Sequence, residues 1–158
     1  MSADNQIDYI EFQAADLAAT RTFFQQLFGW KFTDYGPDYT SFEDGRIAGG
    51  FSRGAKHSTI ESGGVLVVFY HPRLEEVRQR VIDLGGRVTA DIFSFPGGRR
   101  FHFAEPSGNE CAIWSEDPGA AASTADLQGQ ETRGRAISLP ADSQAIAPCG
   151  IATRRWPR

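Results

Sequence analysis

The chain repeats itself at a shift of 57 residues, and that repeat limits its fold more than any other feature. Residues 7–12, IDYIEF, alternate in the period-2 manner of a strand. Asp16 follows as a helix N-cap, and then Leu17, Thr20, Phe23, Phe24, Leu27 and Phe28 recur at helical spacing up to Gly29, placed to end the helix. At the shift of 57, GVLVVFYHPRLEEVRQRVIDLGGRV aligns Tyr9 with Leu66, Phe12 with Phe69, Leu17 with Leu74, Leu27 with Leu84 and Gly29 with Gly86. Each copy then offers three more strands: 31–35, 39–43 and 46–53 in the first, and 87–95, 99–104 and 109–115 in the second. Asp44-Gly45 matches Ser107-Gly108 at a shift of 63, so the second copy holds six extra residues near Pro96-Gly97-Gly98. Two copies of strand, helix and three strands predict an α+β domain over 7–116, with module one at 7–53, a linker at 54–63 and module two at 64–116.

Strand parity predicts what each face carries. Ile10 and Phe12 point one way, Tyr9 and Glu11 the other. Phe101 and Phe103 oppose Arg100 and His102, while Cys111 and Ile113 oppose Glu110, Ala112 and Trp114. Val67 and Phe69 oppose Leu66, Val68 and Tyr70. One face is apolar and belongs under the helices. The other collects Tyr, Trp, Glu, Arg and His, the residue types that line pockets.

Composition bounds the rest. Residues 1–6 are a lead, and of the 19 aromatics only Trp156 falls in 117–158. That segment holds five Leu, Ile or Val residues, which is too little apolar surface to offset its ordering entropy, so it is expected to be a disordered tail. Net charge is −4 overall, −5 before the tail and +1 within it, which argues against nucleic-acid binding by phosphate neutralisation. No apolar run is long enough to span a membrane, and the N-terminus lacks the pattern of a signal peptide. Two cysteines, Cys111 and Cys149, do not make a disulfide scaffold, and a reducing, cytoplasmic setting is expected.

The strings IDYIEFQAADLAATRTFFQQLFGWKF and FPGGRRFHFAEPSGNECAIWSE resemble the vicinal oxygen chelate superfamily, the group of glyoxalase I, extradiol dioxygenases, fosfomycin-resistance enzymes and bleomycin-binding proteins. The resemblance covers about residues 6–116 and implies two βαβββ modules curled into a cup-shaped open eight-stranded barrel, commonly completed by a homodimer. It says less about activity, because the fold hosts lyases, oxygenases, transferases and plain binders. The family's metal enzymes place His or Glu ligands on the first, fourth, fifth and eighth strands. Those positions fall here on Tyr9, Gly49 or Gly50, Leu66 and Ala112. Such residues do not bind a divalent metal in the usual way, so the resemblance implies the fold without its usual cofactor.

For the cup, Arg100 and His102 are the expected contacts to an anionic ligand, by resemblance to the fosfomycin-resistance enzymes. His102 and Glu11 are the candidate acid–base residues. Tyr9, Tyr39, Phe51, Tyr70 and Trp114 are candidate walls, and Glu110 is a further candidate on the same face. The plain alternative is an Arg100–Glu11 salt bridge. A displaced metal site among Glu11, His102 and Glu110 is disfavoured by Arg100 beside them. Elsewhere His57 is expected to be solvated, His71 to serve a local turn, and Cys111 to be a buried inert thiol. Three functions stay open: a metal-free binder of a small anionic or aromatic molecule, an enzyme of lyase, isomerase or dioxygenase type, and an interaction module whose cup is filled.

Overall fold

A computed structural model describes residues 4–116. Within them the order is β1 (Tyr9–Ala14), α1 (Leu17–Phe28), β2 (Lys31–Asp34), β3 (Tyr39–Glu43), β4 (Ala48–Arg53), β5 (Val67–Tyr70), α2 (Leu74–Asp83), β6 (Arg87–Phe95), β7 (Gly98–Ala104) and β8 (Glu110–Glu116). This is the expected pair of βαβββ modules. The tail at 117–158 lies outside the described residues.

Helix α1 begins and ends where its sequence says. The Asp16 side chain accepts the Ala19 N–H, and Gly29 takes φ 74 while donating to the Gln25 carbonyl. Helix α2 ends at Asp83, two residues earlier than the repeat implies. Gly85, not Gly86, adopts the left-handed conformation at φ 91. Its N–H reaches Ile82, and the Gly86 N–H reaches Val81 at 2.8 Å, the paired bonds of a Schellman ending. Strand β4 also starts later than position 46. The Asp44 carboxylate accepts the N–H groups of both Arg46 and Ile47 at 2.7 Å, which keeps those residues in the turn.

Hydrogen bonding divides the eight strands into two four-stranded sheets, β1-β4-β3-β2 and β5-β8-β7-β6. In each, the first strand of the module runs parallel to the last and the others are antiparallel. The expected parity holds. Phe12, Phe51, Phe42, Phe101, Phe103, Cys111 and Ile113 join α1 and α2 in one core. Trp30 is its hinge, stacked on Phe24 at 4.6 Å and on Phe42 at 4.3 Å, and edge-on to Phe69 of the second module. Each such ring removed from water contributes about 2 kcal/mol. Gly49 allows this packing, since a Cβ there would lie 2.2 Å from the Phe42 ring.

A polar stitch joins the modules on the helix side. Glu105, 2% exposed, accepts from the Thr20 hydroxyl at 2.7 Å, the Ser107 and Asn109 backbone N–H groups and the Asn109 amide. Asn109 donates onward to the Gln13 carbonyl and accepts the Ser58 N–H. The β7–β8 turn is thereby fixed to the start of α1 and to the linker.

Candidate functional site

The faces away from the helices carry the residues that strand parity assigned to them, but one candidate wall lies elsewhere. Phe51 is 1% exposed and packs on Phe12, Phe24 and Phe42, so it belongs to the core and forms no wall of the cup. Strand β4 turns its other face outward as Ala48, Gly50 and Ser52, which pair with Tyr9, Glu11 and Gln13 of β1.

The remaining residues form two clusters, one per module. On the first module the Tyr9 and Tyr39 hydroxyls lie 2.5 Å apart, and Tyr39 donates to Glu11 at 3.4 Å. Gly50 lies beneath them, and a Cβ there would meet the Tyr39 oxygen at 2.1 Å. Burial, then the neighbouring Tyr9 and Glu11, pushes the Tyr39 phenol well above its usual range.

On the second module Arg100 lies across from Phe93 in the β6–β7 register. Its guanidinium carbon is 5.1 Å from the Phe93 ring centre and 5.5 Å from that of Phe95. Among the described residues it has no carboxylate within ion-pair distance, so the Arg100–Glu11 bridge does not form. Trp114, paired with Arg100 on β8, meets Tyr70 edge-on at 5.2 Å and Phe95 at 6.2 Å.

His102, two residues along β7, is 7% exposed, and its Nε2 is buried with no partner among the described residues. Its Nδ1 stands 3.9 Å from a Glu110 oxygen. Burial and the Arg100 charge hold its pKa below the usual imidazole value, with Glu110 pulling weakly the other way. Glu110 is committed elsewhere: one oxygen accepts the Thr89 hydroxyl at 2.8 Å and the other the Ile60 N–H at 2.9 Å. Burial pushes its carboxyl up, but those bonds, with His102 and Arg87 nearby, leave it below the usual range. Its first role is therefore to anchor the linker. Glu110 stands within ion-pair distance of His102 while Glu11 accepts from Tyr39, so the expected His102–Glu11 contact does not form among the described residues.

Phe93, Phe95 and Thr89 escaped the sequence reading. Two register shifts between Val88 and Phe93 break the alternation of β6, so parity carried no signal there. The β-hairpin at Pro96-Gly97 did carry one, since folding it back sets Phe93 and Phe95 beside β7. Of the lesser candidates, His57 is exposed, His71 accepts the Arg73 N–H at 3.1 Å in a local turn, and Cys111 is 1% exposed.

A family model described as the Glyoxalase/Bleomycin resistance protein/Dioxygenase superfamily matches residues 6–113. The chain belongs to that superfamily. Solved structures agree in fold. A mutant of the fosfomycin resistance protein FosX from Listeria monocytogenes, complexed with Mn(II) and 1S,2S-dihydroxypropylphosphonic acid, superposes with a TM-score of 0.62 at 15% identity, covering 78% of this chain and 99% of that one. A glyoxalase-related enzyme from Fulvimarina pelagi gives 0.60 at 16% identity, covering 71% and 88%. Lactoylglutathione lyase from Agrobacterium tumefaciens gives 0.55 at 18%, covering 72% and 96%. At such identities the likeness is one of fold. No curated protein matches the chain. Among the described residues no helix is long and apolar enough to cross a membrane.

The superfamily's metal does not suit the residues present. The positions that the resemblance gives to its ligands hold a phenol at Tyr9, no side chain at Gly49 or Gly50, an isobutyl group at Leu66 and a methyl group at Ala112. Two tyrosine hydroxyls also crowd the space over Gly50. This donor set does not fit a divalent metal. Among the described residues no group of three or more His, Cys, Asp or Glu side chains is placed to hold one.

Proposed function

We propose that this glyoxalase/bleomycin-resistance-like protein binds a small anionic, aromatic molecule on the open face of its second module, without the superfamily's usual metal. One observation carries the reading. Arg100 sits against Phe93 and Phe95 with no carboxylate to neutralise it among the described residues. A guanidinium so held offers its fork to a carboxylate or phosphonate, while Trp114 and Tyr70 offer a surface for a flat ring. His102 lies two residues along the same strand, beneath the Phe93 ring at 5.6 Å. The ligand class is tested by titrating the full-length chain with benzoate and phenylphosphonate. Arg100→Ala should weaken binding by about 2 kcal/mol, roughly thirtyfold. Equal affinity in the variant overturns the reading.

A second reading, a metal-free acid–base enzyme, is favoured by His102, whose Nδ1 faces Glu110 while Nε2 stays unpartnered. Turnover of an α-ketoaldehyde–thiol adduct lost in His102→Ala would support it, and unchanged turnover would remove His102 from the chemistry. In both readings the protein works as a homodimer. Strands β1 and β5 each leave an edge with no described partner, and Ile7 and Val65 beside them are 73% and 80% exposed. Light scattering of the purified chain tests this, and a monomer at micromolar concentration rejects it.

A further inference from the structure

The open face of the first module carries the opposite chemistry. A cleft of about 400 Å³ there is lined by Tyr9, Tyr35, Tyr39, Ser41 and Glu43. The Tyr35 and Tyr39 rings stand 6.3 Å apart at 53°, and Tyr39 is held by its hydroxyl contacts to Tyr9 and Glu11. Gly50, with no side chain, leaves the room those hydroxyls occupy. Among the described residues neither Glu11 nor Glu43 forms an ion pair, although Lys31 is the cross-strand neighbour of Glu43. The wall is thus three electron-rich rings with the Glu43 carboxylate among them, and the Glu11 carboxylate stands behind Tyr39, from whose hydroxyl it accepts.

We propose that this tyrosine-walled cleft binds an organic ammonium ion. Aromatic faces attract a cation placed within about 6 Å through the ring quadrupole. The carboxylates of Glu11 and Glu43 add long-range attraction and reject anions. Among the described residues no group of three or more His, Cys, Asp or Glu side chains is placed to hold a bare divalent metal here. The Tyr39 phenol stays neutral well above physiological pH, so its hydroxyl goes on donating to Glu11 and its ring keeps its place in the wall. The proposal is independent of anion binding at Arg100, which is on the other module.

The test uses the full-length, ¹⁵N-labelled chain and two probes of one shape, tetramethylammonium and uncharged tert-butanol. The cation should give saturable shifts in the amides of Tyr35, Tyr39 and Glu43, and the alcohol should not. Tyr35→Ala, at a residue 64% exposed and so without a fold to lose, should weaken the cation by about threefold. The double variant Glu11→Gln with Glu43→Gln should weaken it further. Arg100→Ala should leave it unchanged while weakening benzoate binding roughly thirtyfold. No saturable response to tetramethylammonium, an equal response to both probes, or affinity unmoved in Tyr35→Ala or in the glutamate double variant overturns the proposal.

Discussion

Gly50 lies so close under the Tyr39 hydroxyl that a methyl group in its place would sit 2.1 Å from that oxygen. The neighbouring Gly49 faces the other way, where a methyl group would meet the Phe42 ring at 2.2 Å and the Ile10 carbonyl oxygen at 2.5 Å. The two clashes differ in how they are relieved. Tyrosine hydroxyls at the end of partly exposed side chains swing aside, whereas a buried ring and a strand carbonyl do not. Gly50→Ala should therefore cost about 1 kcal/mol and Gly49→Ala about 3 kcal/mol. Urea unfolding midpoints should fall in the order wild type, Gly50→Ala, Gly49→Ala, and equal midpoints would contradict this packing account. Gly50→Ala should also weaken tetramethylammonium, because it parts the Tyr9–Tyr39 pair.

Glu105 holds the stitch between the modules. It is almost fully buried and accepts four hydrogen bonds from Thr20, Ser107 and Asn109. Glu105→Ala leaves those donors unsatisfied and should cost about 3 kcal/mol, while Thr20→Val, which removes a single donor, should cost about 1 kcal/mol. Chemical denaturation of both variants checks the ranking, and a Glu105→Ala loss below that of Thr20→Val would show that water replaces the carboxylate.

The repeat made the fold legible because helix caps, core spacing and strand parity all agreed at one shift. Asp16, Gly29 and the Phe101/Phe103 face are where the sequence puts them. The site was legible only in part. Parity placed Tyr9, Glu11, Arg100, His102 and Trp114 on the open faces, but parity says nothing about which strand lies across from which. Arg100 met Phe93 through an irregular β6 whose extra residues hide the alternation. Glu11 turned to Tyr39 for the same reason: pairing through β4, not distance along the chain, set its neighbour. Phe51 misled because an aromatic in a strand beside Gly50 reads equally as core or wall. Glu105 was missed because a turn glutamate gives no sign that α1 will bury it.

Cys111 is 1% exposed, and burial, with Glu105 and Glu110 nearby, pushes its thiol far above the usual range. The thiolate needed for alkylation is therefore absent in the folded chain. Peptide mapping after brief iodoacetamide treatment should find Cys111 unmodified under native conditions and modified in denaturant. Native labelling of Cys111 at the rate of a free thiol would show that the sheet opens locally.

His102 gives stability a pH dependence whose sign follows from its burial. Its folded pKa lies below 6.5, the ordinary imidazole value, which the unfolded chain keeps. As pH falls through 6.5, the unfolded state takes a proton that the folded state does not. Stability is then lost until the pH reaches the lowered folded pKa, and below that this group adds no further change. Above 6.5 both states hold the ring neutral and its contribution is constant. Denaturant midpoints measured between pH 7.5 and 5.5 should therefore drop for the wild type and drop less for His102→Gln. Glu110 does not confuse the result, since its carboxyl is held below the usual range and its stabilising contribution is lost only at more acidic pH. A ligand anion on Arg100 should narrow the drop, because a negative charge near His102 offsets the Arg100 field that keeps the ring neutral. Parallel pH profiles for wild type and His102→Gln would show that the ring is solvated in the folded state.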